Sequence, residues 1–294
     1  MFSQFFGGYL LNKGAVTKEQ LAKALDEKKV TRMRLGVLAI NAGLMTADQV
    51  ELVNVTQQTV DKRFGDLCVD MGYLKAEQVD ELLSKQPTDY LLLGQTLVNM
   101  GALSNADFET YINEYREHNQ INDDDISGDQ SDKLASLVAE FYHFSTSQNA
   151  KLYTKYVTLL FKSLIRFVGD DFTPLDASPA KASSGALTIR QNITGAYDGI
   201  TAISAGTDEY ATFAKRFAKD AYVPDPEFDD ASVGEFLNVC NGLYAVNESN
   251  ESGVEISLTP LTTAKNEEMA FDKEVFSIPV QFTFGEVEFL VAFS

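Results

Sequence analysis

Basic residues are scarce in this chain: 24 Lys and Arg stand against 43 Asp and Glu, a net charge of −19 over 294 residues. A field of that sign opposes non-specific binding to nucleic acid or to an anionic membrane, because either would be repelled. There are only two cysteines, Cys68 and Cys240, in apolar patterns far apart, and they read as buried free thiols in a reducing compartment. The two histidines, His118 and His143, flank a polar stretch and leave a His-based triad without support. No Cys/His spacing suggests zinc. G-x-x-x-x-G-K-[ST] is missing, which excludes a P-loop ATPase, and Ser204-Ala205-Gly206-Thr207 reads as a strand-to-helix turn. No run of about 18 apolar residues is present to span a bilayer. Met1–Leu11 is apolar and aromatic but lacks the basic flank of a signal peptide. The expectation is a cytoplasmic protein with no membrane or nucleic-acid partner and no metal site of its own.

What is present is a period. Slid along itself by 29 residues, the chain superposes four segments, starting near Phe5, Arg34, Arg63 and Leu92. Each has a glycine two residues in (Gly7, Gly36, Gly65, Gly94) and another seven residues later (Gly14, Gly43, Gly72, Gly101). A period of this length marks a supersecondary unit that cannot bury its apolar face alone. Leu35, Leu38, Ala39 and Ala42 lie along one face of a short helix that Gly43 ends. Thr46 with Gln49 then opens a second helix as a capping box, as Thr17 with Gln20 does. Ser104 with Asp107 is a weaker version, and Lys75 breaks the pattern. The expected unit is a short helix, a glycine turn and a capped longer helix, four times over. Only the middle two copies carry Arg first and Gln at the twenty-fourth place: Arg34 with Gln57, and Arg63 with Gln86. Phe5 and Leu92 replace the Arg in the outer copies, and Lys28 and Tyr115 replace the Gln.

Residues 34–86 resemble the cyclic di-GMP-binding MshEN domain, related to the N-terminal domain of type II secretion and pilus ATPases. That family has two 24-residue motifs, R-L-G with a glycine at place ten and a glutamine at place twenty-four, joined by five residues. Here Arg34-Leu35-Gly36, Gly43 and Gln57 are followed by Gln58–Lys62 and then by Arg63-Phe64-Gly65, Gly72 and Gln86. Phe64 stands where leucine is usual, and Asn54 holds an apolar place. The resemblance implies cyclic di-GMP bound by Arg34, Leu35, Gly36, Gln57, Arg63, Phe64, Gly65 and Gln86. Two guanidiniums suit guanine faces or phosphates, and glycines let the backbone approach. The plain alternative is that these Arg and Gln side chains only decorate a solvated helix face.

From Asn119 to Asp132 the chain is polar and acidic with one glycine, and residues 119–147 read as a linker. No twelve-residue calcium loop follows Asp123. Charge divides unevenly about it: 12 basic and 16 acidic residues over 1–118, against 12 and 27 over 119–294. The chain is long enough for two cores. Beyond the linker the pattern mixes helix and strand. Ala150–Val168 is amphipathic, Ala186–Ala205 alternates like two strands around Gly195 or Gly199, and Glu209–Tyr222 and Asp229–Ala245 read as helices. Strand-like runs follow at Val254–Leu258, Val275–Phe284 and Val287–Phe293, the last two as a hairpin turning at Gly285-Glu286. The expected fold is two domains: all-α helical-hairpin repeats over 1–118, then an α+β domain with an antiparallel sheet over 148–294.

Val233, Phe236, Leu237, Cys240, Leu243 and Tyr244 are spaced to face a core, while Glu235 and Asn238 share the opposite side with Gly242 one turn on. A carboxylate beside a carboxamide can hold a partner's lysine and orient water. Such a pair on a solvated helix is also commonly inert. Gly234-Glu235-x-x-Asn238-x-x-x-Gly242, then Ile256-Ser257-Leu258-Thr259-Pro260, resembles the CheX branch of the CheC/CheX/FliY phosphatases, with one extra residue before the proline. The likeness covers roughly residues 148–294. It implies hydrolysis of phospho-aspartate on a response-regulator receiver. Asn238 would orient the water, Glu235 would pair with the receiver's lysine, and Mg2+ would come with the receiver. An acidic patch, Asp225, Glu227, Asp229 and Asp230, precedes the helix as a departure. The joint expectation is a signalling protein in which cyclic di-GMP controls access to Glu235 and Asn238. The rival is a non-enzymatic adaptor that docks on a receiver or on a second copy of the chain, with the repeats as a docking module.

Overall fold

Gly14, Gly43, Gly72 and Gly101 all take left-handed backbone, with φ of +66°, +65°, +75° and +70° in the computed structural model of the chain. Only glycine occupies that region without strain, so each stops a helix. The helices stopped are α1 (Phe2–Asn12), α3 (Leu35–Asn41), α5 (Phe64–Asp70) and α7 (Asp89–Asn99), and each is followed by another: α2 (Lys18–Glu27), α4 (Ala47–Gln57), α6 (Ala76–Ser84) and α8 (Asn105–His118). The structure describes residues 2–84, 89–118, 131–142 and 149–294. It divides into two units, Met1–Gln130 and Ser131–Ser294.

The other glycines of the period serve packing. A Cβ on Gly36 would lie 2.7 Å from Val50 of α4, one on Gly65 would lie 3.0 Å from Val79 of α6, and one on Gly94 would overlap the Phe108 ring of α8. Each glycine thus lets its helix sit close to the next. Reciprocal boxes open α2 and α4, with Thr17 and Gln20, and Thr46 and Gln49, bonded both ways. Ser104 and Asp107 also bond both ways, and the Ser104 hydroxyl and N–H, both donating to the carboxylate, lower the Asp107 pKa. At α6 only half the box exists: Lys75 N–H donates to Gln78 Oε1 at 2.8 Å, and lysine has no oxygen to return the bond. Lys75→Thr is therefore expected to raise unit stability by about 0.5–1 kcal/mol, read as a higher thermal midpoint. Packing is not a simple stack. α1 lies on α7 and α8, and α3 meets α6, α7 and α8.

The second unit starts earlier than the sequence reading placed it. A helix, α9 (Ser131–Phe141), stands inside the stretch read as linker, because Leu134, Leu137 and Val138 form an apolar stripe that is buried. Residues 119–130 and 143–148, His143 among them, lie outside the described residues. Then come α10 (Ala150–Phe167), β1 (Phe172–Pro174), β2 (Ser178–Ala182), β3 (Leu187–Gly195), β4 (Gly199–Ala205), α11 (Thr207–Ala218), α12 (Pro226–Ser252), β5 (Ile256–Leu258), β6 (Thr262–Lys265), β7 (Ala270–Phe282) and β8 (Gly285–Phe293). The sheet is antiparallel, ordered β1-β7-β8-β4-β3-β5, with β2 added to β7 and β6 to β3.

α10, α11 and α12 pack on strands β3, β4 and β8. Tyr153 and Tyr156 meet Phe293 edge to ring and Tyr244 lies tilted against it, with centroids 5.3–5.7 Å away. Ile200 and Ala202 of β4 with Leu290 and Ala292 of β8, on the face away from Phe293, form a second apolar cluster with Phe271 and Val275.

Several boundaries move. α12 spans 27 residues, not the 17 expected, since Asp225 caps it by accepting from Glu227 and Phe228 N–H, and Pro226 sits in its first turn. The β7–β8 turn falls at Thr283-Phe284, two residues before the expected place, because Phe282 already pairs with Gly285. Arg216 fixes that turn, bonding Thr283 Oγ1 at 2.9 Å and lying over the Phe284 ring. Short β1, β2 and β6 were not expected. Leu243 is 36% exposed although its spacing predicts burial; Phe236 on the same side is covered by Phe213 and Phe217 of α11. Both thiols are free and buried, and burial pushes Cys68 up to about 11 and Cys240 up to about 12. No helix of the described residues is long and apolar enough to cross a membrane.

Candidate functional site

Gly234 lets α12 approach the sheet: a Cβ there would lie 2.8 Å from Ile189 of β3 and 2.9 Å from Leu261. That close seat brings the next turn over Gln191, which lies on β3 between the inward-facing Ile189 and Ile193 and is 4% exposed. Glu235 points to solvent. Asn238 is half-buried, so it sits at the rim of the helix and not on its fully exposed side as the spacing predicts. Asn238 Nδ2 is 3.5 Å from Glu235 Oε2, at the limit of a hydrogen bond. Asn238 Oδ1 accepts from Gln191 Nε2 at 3.1 Å.

The direction of that bond follows from its neighbours. Gln191 Nε2 also lies 3.0 Å from the Thr259 carbonyl, which can only accept. Gln191 Oε1 accepts from Asn241 Nδ2 at 2.8 Å, and Asn241 Oδ1 accepts from the Tyr156 hydroxyl at 2.7 Å. The Thr201 hydroxyl donates to the Gln191 carbonyl and accepts from Asn241. Every donor meets an acceptor only when Asn238 turns its oxygen inward and its NH2 outward. Sequence reasoning missed Gln191, Asn241 and Thr259. A polar residue at an inward strand position was the signal available for the first.

Of the acidic patch, Asp225 is the helix cap and Asp230 pairs with Lys265. Burial raises the Asp229 pKa. Gly242 differs from Gly234: a Cβ there would meet nothing within 4 Å. Glycine in mid-helix costs about 1 kcal/mol against alanine, and no contact among the described residues requires it.

In the first unit, Arg34, Leu35, Gly36, Gln57 and Phe64 line one pocket of about 280 Å³ with Asn54, Val50 and Gln95. Leu35 reaches within 3.3 Å of a Cβ built on Gly65, and Phe64 within 3.3 Å of one built on Gly36, so the two motifs interlock reciprocally. Buried Gln95 of α7 accepts from Arg34 N–H at 3.2 Å, another contact that sequence reasoning missed. Gln57 Nε2 donates to the Lys62 carbonyl at 3.0 Å and ties the spacer. Arg63 is exposed at the start of α5 and does not line the pocket. Gln86 lies outside the described residues. The outer copies use the same places differently: Phe5 and Tyr115 are buried, and buried Lys28 donates to Asp89 at 2.8 Å.

Comparison with solved structures finds chemotaxis proteins. CheX from Desulfovibrio desulfuricans is 17% identical, over 49% of this chain and 99% of that one, with a TM-score of 0.43. The CheX–CheY–BeF3–Mg2+ complex from Borrelia burgdorferi is 15% identical, over 47% and 95%, at 0.40. A CheC-like protein from Shewanella oneidensis is 14% identical, over 50% and 100%, at 0.42. No family model and no curated protein matches the chain.

Proposed function

We propose that the second unit is a protein-aspartyl-phosphate phosphatase acting on a response-regulator receiver. The observation that carries this is Asn238, whose NH2 is turned out beside the exposed carboxylate of Glu235 on one rigid helix. Glu235 pairs with the receiver's lysine and sets the dock. Asn238 holds a water by its amide edge in line with the phosphoryl group, and Mg2+ comes with the receiver as part of the substrate. The water oxygen bonds to phosphorus as the bond to the aspartyl oxygen breaks. The electron pair leaves with the carboxylate, and the water's proton ends on the released phosphate. The test is phosphate release from acetyl-phosphate-charged receivers with and without the protein. Acceleration supports the proposal, whereas tight receiver binding at an unchanged rate favours the adaptor.

The open side of Gly242, one turn beyond Asn238, fits a partner surface that comes close to the helix. Gly242→Ala should raise the thermal midpoint, by about 1 kcal/mol of stability. Gly242→Phe should leave the fold intact and weaken receiver docking about 10-fold or more, measured by titration calorimetry.

We further propose that the first unit binds cyclic di-GMP at the interlocked motifs, through Arg34, Leu35, Gly36, Gln57, Arg63, Phe64, Gly65 and Gln86, and that binding regulates the phosphatase. What supports this is the pocket shared by both motifs and the burial of Phe5, Lys28 and Tyr115 at equivalent outer places.

A further inference from the structure

We infer that Gln191 is a positioning residue for Asn238: from β3 it holds the Asn238 oxygen inward and so fixes which edge of the amide a substrate meets. This rests on the phosphatase proposal for its chemistry, and on the hydrogen bonds alone for its geometry.

A free Asn side chain turns about its terminal torsion over a broad range, so an unsupported amide offers oxygen and NH2 in turn. Only one presentation is productive if the amide donates to the attacking water. Gln191 has the means to choose between them. Both protons of its Nε2 are committed, one to the Thr259 carbonyl at 3.0 Å and one to Asn238 Oδ1 at 3.1 Å. Rotation of Gln191 itself is blocked, because its own oxygen is held by Asn241 at 2.8 Å, and Asn241 is pinned by Thr201 and Tyr156. Thr259 is fixed in turn, donating its N–H to the Asn192 carbonyl at 3.0 Å while its hydroxyl accepts from Asn192 N–H at 3.0 Å. The active edge is thus set by a buried polar chain running from α10 through β4 and β3 to the rim of α12. Precise support of this kind matters because displacements near 1 Å cost on the order of 100-fold in rate.

Positioning of the amide and docking of the receiver are separate roles that a change at Asn238 or Glu235 merges. The Gln191 side chain bonds Asn238, Thr259 and Asn241 and not Glu235, so Glu235 should dock the receiver as before when Gln191 is changed. The test uses the full chain as Gln191→Met, which keeps length but donates nothing, and as Gln191→Glu in case the first variant folds poorly. Ile278→Val, a truncation in the β7 core, serves as the destabilised control. Two readouts are taken: the 15N order parameter of the Asn238 side-chain amide, identified by its loss in Asn238→Asp, and phosphate release against receiver concentration. In the wild type the amide should be about as rigid as ordered backbone, near 0.85, and should fall below about 0.6 in the Gln191 variants. The maximal rate should drop about 10- to 100-fold, with the half-saturating receiver concentration changed by less than about twofold. The control should match wild type in both. A Gln191 variant with a rigid Asn238 amide and a wild-type maximal rate overturns the inference. If wild type itself does not accelerate release, the phosphatase proposal fails, while the order parameter still decides whether Gln191 holds Asn238.

Discussion

Asn238→Ala is expected to reduce protein-stimulated phosphate release about 100- to 1,000-fold, the range for losing one preorganised donor at the reacting centre. The fold should survive. Removing the side chain leaves one Gln191 proton without its acceptor, a cost of about 1 kcal/mol that a thermal midpoint would show as a modest shift. Glu235→Lys should act differently. It places a cation where the receiver presents its lysine, so the half-saturating receiver concentration should rise about 10-fold or more. The rate of the bound complex should fall less than with Asn238→Ala. Glu235→Ala should lie between wild type and Glu235→Lys. Release that stays fast in both Asn238→Ala and Glu235→Lys would place the chemistry elsewhere.

The second large effect is expected in the first unit. Arg34→Ala and Arg63→Ala should each weaken cyclic di-GMP binding by about 1.5–3 kcal/mol, the range for a charge-assisted contact, or about 10- to 150-fold. Arg34 should carry its effect from the pocket wall, where Gln95 holds its backbone. Arg63 stands outside that wall, so a large loss at Arg63→Ala would mean that the nucleotide spans both motifs. Conservative changes at Phe5 or Leu92 should leave affinity alone. No heat and no thermal shift for the intact protein with nucleotide at high micromolar concentration would end the proposal.

Local signals were the most legible. The left-handed turns at Gly14, Gly43, Gly72 and Gly101 and the caps at Thr17, Thr46 and Ser104 depend on a few adjacent residues, and the sequence displays them directly. The asymmetry between inner and outer copies was visible too, but its cause was not. That Lys28 is buried against Asp89 depends on α7, which is far along the chain. In the second unit the start of α12 is legible in Asp225-Pro226, a cap and a first-turn proline, whereas the apolar spacing begins only later. Edge strands β2 and β6 have too few alternating residues to stand out. The pair Glu235 and Asn238 could be picked from helical spacing. The inward turn of the Asn238 oxygen could not, because it is set by the register of β3 beneath α12 and by the carbonyl of Thr259.

The central claim is that Asn238 activates water against a receiver's phospho-aspartate. Its most direct test is phosphate release from a panel of acetyl-phosphate-charged receivers, with Mg2+, comparing wild type and Asn238→Ala at saturating receiver. The account predicts faster release by wild type with at least one receiver, and return to the receiver's own rate with Asn238→Ala, which should bind that receiver as tightly as wild type. Equal acceleration by the two proteins would contradict it.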